Sequence, residues 1–122
     1  MPAPKRSPTR EARIINHIVV DASTESERAM GWYYHLDNQL QFPFSARCVR
    51  QRAISPLRRG DEVTVVGMAP EDECMHEMFV RVRWERSALA VPLSQLMPRR
   101  VDAETRRAVE DWHYWVAQDY CF

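Results

Sequence analysis

The chain has 122 residues, the usual size of one domain and too short for two independent cores. Its 45% apolar and 28% charged residues exclude wholesale disorder, and no stretch approaches the roughly 18 apolar residues of a membrane span. Lys plus Arg equals Asp plus Glu at 17 each, so overall charge gives no argument for nucleic acid or an anionic membrane.

The N-terminal stretch MPAPKRSPTR combines three prolines with Lys5, Arg6 and Arg10 and lacks the apolar run of a secretory signal. Residues 1 to 12 are therefore expected to be a flexible basic tail, with residues 13 to 122 as a single domain. The β-branched run from Ile14 to Val20 reads as a buried strand or an apolar entry into the next helix. Thr24 and Glu27 form a capping-box pattern, and Ala29, Tyr33, Leu36 and Leu40 then recur at helical spacing, predicting a helix over about 25 to 38. Pro43 and its neighbouring phenylalanines end it.

Sheet-forming segments follow. Residues 44 to 54 read as one strand and Glu62 to Met68 as another, separated by Pro56 and the turn at Arg59, Gly60 and Asp61. Residues 78 to 85 alternate between the row Met78, Val80, Val82, Trp84 and a largely charged row containing Arg81, Arg83 and Glu85. Leu89, Val91 and Leu93 alternate in turn, so this pair predicts a tight hairpin, with Pro92 marking an edge or a strand end. Asp102 caps a last helix carrying the stripe Ala108, Val109, Trp112, Trp115, Val116. The expected fold is α+β: a small, SH3-like, strongly bent antiparallel sheet or barrel flanked by an N-terminal and a C-terminal helix.

Chemistry concentrates in one loop. Glu71, Asp72, Glu73 and Glu77 place four carboxylates within seven residues that hold no Lys or Arg. Such crowding suits a hard cation, and calcium takes six to eight oxygens in flexible geometry; the alternative is a solvated acidic hairpin tip. The segment has no glycine and is not an EF-hand loop. Asp37 and Asn38 at the end of the first helix, and Glu110 and Asp111 on the last, are further oxygen sources. Cys74 and His76 lack the paired spacing of a structural zinc site. Cys48, Cys74 and Cys121 are odd in number and far apart, which argues for free thiols and a cytoplasmic location.

A second constellation is basic. Arg47, Arg50, Arg52, Arg58 and Arg59 fall close together, and Arg81 and Arg83 project from one strand face. They suit a protein or nucleic-acid partner, with Arg47, Arg50, Arg52, Arg81 and Arg83 as its contacts, unless ion pairs within the fold neutralise them. No catalytic motif is present: there is no G-x-S-x-G, Walker loop or H-E-x-x-H, and the four histidines stand at no recognisable spacing from a nucleophile.

Several stretches resemble the CcbP calcium-binding family, first described in cyanobacteria: ERAMGWYYHLDNQLQFPFSARC at 27 to 48, DEVTVVGMAPEDECMHEMFVRVRWE at 61 to 85, LAVPLSQL at 89 to 96 and VEDWHYWV at 109 to 116. The resemblance spans most of the chain beyond the basic tail. It implies a small, non-enzymatic cytoplasmic protein that buffers or senses Ca2+ through surface carboxylates. At the matching segments, Asp37, Glu71, Asp72, Glu73 and Glu77 are the carboxylates whose chemistry suits the ion.

Overall fold

The structure, a computed structural model, describes residues 6 to 118. Helix α1 (Pro8–Arg13) runs into a π-helical turn (Ile14–Ile18), then α2 (Glu25–Gln39). Strands β1 (Phe44–Cys48), β2 (Glu62–Met68), β3 (Phe79–Trp84), β4 (Ser87–Pro92) and β5 (Leu96–Arg99) precede α3 (Ala103–Ala117). A 3-10 turn (Glu71–Cys74) joins β2 to β3, and another (Leu93–Gln95) joins β4 to β5.

Local chemistry sets both long helices. The Thr24 hydroxyl accepts from the Glu27 amide at 3.1 Å and donates to the Glu27 carboxylate at 3.1 Å, so the capping box is formed. The Asp102 carboxylate accepts from the Thr105 amide at 3.2 Å at the start of α3. Trp32 of α2 meets Trp112 edge-on at a centroid distance of 5.1 Å and lies 5.7 Å from Trp115, which locks the two helices together.

The five strands form one antiparallel sheet in the order β4-β3-β2-β1-β5. Phe44, Ala46, Cys48, Val63, Val65, Val80, Val82, Val91 and Leu96 point from it into the core shared with Ala29, Trp32 and Leu36 of α2 and Val109, Trp112 and Trp115 of α3. The alternation of side chains then leaves Ser45, Arg47, Glu62, Arg81, Arg83 and Arg99 exposed on the opposite face. A bulge between Val65 and Gly67 keeps Arg81 on that face, paired across to Gly67.

The α+β expectation holds, and of the sheet or barrel expected the sheet is found, open because the end strands β4 and β5 do not pair with each other among the described residues. Three differences have physical causes. The run from Ile14, read as a buried strand or an apolar entry into the next helix, is a π turn that continues directly from α1 and precedes α2. Strand β1 stops at Cys48, where the amide of Val49 turns aside to the Gln95 carbonyl at 2.8 Å.

The third difference concerns the tail. Residues 8 to 12, expected within a flexible arm, belong to α1, whose cap is Ser7 with Pro8 in the first turn. Arg10 and Arg13 both reach the buried Asp111 of α3, at 2.7 and 2.6 Å, and the Ser7 amide donates to the Tyr114 hydroxyl at 3.0 Å. These long-range bonds hold a segment whose composition alone would leave it loose. Residues 1 to 5 of the expected tail lie outside the described residues.

Candidate metal site

The acidic loop is a shaped turn, not a free tip. Its 3-10 segment is closed by the Glu73 amide donating to the Pro70 carbonyl at 2.9 Å and is pinned below by Cys74, which is buried. The Phe79 amide donates to the Cys74 sulfur at 3.3 Å, and burial pushes the Cys74 thiol above its ordinary pKa. Cys74 therefore anchors the turn from within the core, while His76 beside it is exposed.

Two tyrosines of α2 hold the turn from the other side. The Tyr33 hydroxyl donates to the Ala69 carbonyl at 2.7 Å, and the Tyr34 hydroxyl donates to Glu71 Oε1 at 2.7 Å. Burial first, then the negative charges near it, Asp37 and Glu71 among them, raise the pKa of Tyr33. Asp37 lies four residues after Tyr33 on the same helix face, one turn along. Packing of α2 against the turn thus puts Glu71 on the Tyr34 hydroxyl, with Asp37 three residues further along the same helix. Neither tyrosine is expected at the site from the sequence, where Tyr33 reads only as part of the helical stripe, although two hydroxyl-bearing rings one turn before Asp37 are visible in the primary structure.

The remaining carboxylates separate. Glu71, Asp72 and Glu73 are consecutive on a 3-10 turn, where each residue is rotated by about 120° from the last, so the three side chains diverge into solvent. Glu77 is drawn away: both of its oxygens accept from Arg52 Nη1, at 2.8 and 2.6 Å, beside the Ser94 hydroxyl. Asp111 is committed to Arg10 and Arg13. Among the described residues, no three carboxylate, histidine or cysteine side chains are gathered as a metal cluster. The donor chemistry is that of a hard cation, while the cage is open in this conformation.

The arginines also divide. Arg52 is taken by Glu77, and the Arg50 carbonyl accepts from the buried Gln95 amide at 2.9 Å in the loop after β1. Arg47, Arg81 and Arg83 stand on the solvent face of the sheet and make no ion pair with any described residue. The five arginines expected to serve a protein or nucleic-acid partner therefore do not act as one group. No described helix is long and apolar enough to cross a membrane.

A model of the CcbP family, described as calcium binding, matches residues 12 to 116. Among solved structures, the crystal structure of Anabaena CcbP is 41% identical, covers 100% of each chain and superposes with a TM-score of 0.88. A calcium-binding protein in its calcium-binding form is 40% identical, covers 96% of each chain and has a TM-score of 0.85. No curated protein matches significantly. With a family match over most of its length and two solved relatives sharing its fold, the chain belongs to the CcbP family of calcium-binding proteins.

Proposed function

We propose that this chain binds Ca2+ at the junction of α2 and the 3-10 turn, through Asp37, Glu71, Asp72 and Glu73, without catalysing a reaction. The observation that carries the placement is the docking of the acidic turn on α2 by Tyr33 and Tyr34, with Glu71 bonded to the Tyr34 hydroxyl and Asp37 one helical turn beyond Tyr33. A calcium ion supplies the positive charge these side chains lack, and it accepts flexible, partly hydrated coordination. Asp72 and Glu73 are exposed and free to reorient, so each joins the ion by a change of side-chain rotamer or a small movement of the turn. Glu77 is left to Arg52, because recruiting it means breaking a charge-assisted pair with two short contacts.

Within this reading the protein works in a reducing compartment such as the cytoplasm, consistent with Cys48 and Cys74 being free and buried. Calorimetric titration of metal-free protein with calcium tests the assignment. Asp37→Asn and Glu71→Gln are each expected to weaken binding about tenfold or more, since affinity follows the number of charged ligands, while Glu77→Gln changes it little. Unchanged affinity in the first two variants would place the ion elsewhere.

A further inference from the structure

The solvent face of the sheet carries a charge arrangement that calcium binding does not use. Pairing of Ser45 with both Thr64 and Arg99 sets these residues in one row across β2, β1 and β5, and Arg83 of β3 lines the same groove of about 440 Å³. Extending the Val65–Val82 pairing by one residue sets Arg83 opposite Thr64, so the row runs arginine, threonine, serine, arginine over three inter-strand spacings, about 14 Å. Arg100, in left-handed backbone just after β5, lines the groove as well. Arg81 extends the strip: a Cβ on Gly67 would lie 3.3 Å from its guanidinium, so the glycine lets this group lie flat on the sheet.

Charge on this face is poorly balanced. Arg81, Arg83 and Arg100 have no carboxylate partner among the described residues, and the only ion pair in the groove is Arg99 with Glu62. Surface arginines left unpaired around two hydroxyls offer planar, forked donors to tetrahedral anions, the geometry suited to phosphate oxygens. The groove has no aromatic ring among its lining residues, so it has no platform for stacking bases. We infer that this face binds a chain of linked phosphates, spanned by Arg83 and Arg99 with Thr64 and Ser45 between them.

Two sources share that chemistry: inorganic oligophosphate and the phosphate chain of a nucleotide. Metal-free protein, in buffer without divalent ions so that the probe is not chelated, is titrated at low salt with tripolyphosphate, ATP and a short oligothymidylate. Tripolyphosphate is expected to bind one to one, with affinity falling as salt rises, and ATP no more tightly, because the base finds no ring. Arg83→Gln with Arg99→Gln should weaken binding about tenfold per arginine, Glu62→Gln should tighten it, and Arg58→Gln with Arg59→Gln, outside the groove, should change it little. Calcium affinity should be the same in all of these variants. Undetectable tripolyphosphate binding, equal losses from the Arg58 and Arg59 changes, or preference for oligothymidylate would each overturn the inference; clear preference for ATP would do so by requiring base recognition.

Discussion

At Gly31 two opposing effects can be weighed. Alanine in a helix interior is favoured over glycine by about 1 kcal/mol, yet a Cβ here would stand 2.3 Å from the carbonyl oxygen of Ile18 in the π turn. That contact is with backbone, so the turn and α2 must part. Gly31→Ala is expected to lower stability by about 1 to 3 kcal/mol in denaturant unfolding, despite its better propensity. Tyr34 offers a residue-scale test of the metal site. Its hydroxyl occupies Glu71 Oε1 at 2.7 Å, and the hydrogen bond to Glu71 raises the pKa of Tyr34. Tyr34→Phe frees Glu71 from a donor that competes with the ion while Tyr33 still holds the turn, so calcium affinity should rise a few-fold by calorimetry, whereas a fall would show that docking by Tyr34 outweighs that competition. The acidic cluster of the proposed site was visible in the sequence because its crowding is local; the contacts of Tyr33 and Tyr34 were not, because they join α2 to residues 36 and 37 positions later.

Among the elements, those with strong periodicity and their own caps were readable: α2 with Thr24 and Glu27, α3 with Asp102 and its tryptophan stripe, and the hairpin of β3 and β4. Strand β5 was not, since it is four residues long and contains Pro98, tolerated because β5 is an edge strand. Helix α1 was hidden for a different reason: its anchor, Asp111, lies about a hundred residues away. Asp111→Asn leaves Arg10 and Arg13 without their charge partner, although both are partly hydrated. A loss of about 2 to 3 kcal/mol is expected, with early proteolytic cleavage near α1 as the local sign. Histidines within the long helices add a pH dependence. Burial lowers the pKa of His113, outweighing the opposing bond to the Leu96 carbonyl and the charge of Glu110, with Arg50 adding to the lowering. Burial also lowers His35 against the charge of Asp111, helped by Arg13, His17 and Arg107. Both are more readily protonated in the unfolded chain. Their contribution to stability is therefore intact above about pH 6.5 and is lost as pH falls through the unfolded-state value toward the lowered folded one. Unfolding midpoints should drop between pH 7.5 and 5, and His113→Gln should flatten part of that drop.

Across the whole molecule, a net charge of zero conceals a division of labour. Exposed carboxylates line the 3-10 turn beside α2, while arginines with no ion pair among the described residues occupy the solvent face of the sheet, and the tryptophan-bearing core lies beneath both. The resemblance carried by the helix, loop and hairpin segments extended to the fold, because those segments supply most of the core. The strand pattern left a sheet and a barrel both open, because closure requires pairing between β4 and β5 that distant register decides. Nor did the resemblance resolve which acids act together, since a 3-10 turn spreads neighbours that a linear reading groups. Amide chemical-shift mapping during calcium titration of the metal-free protein addresses the placement directly. Changes are expected to concentrate at residues 33 to 38 and 69 to 75 and to saturate with the bound ion; changes centred on Glu110 and Asp111 or on the sheet face, with the acidic turn silent, would contradict it.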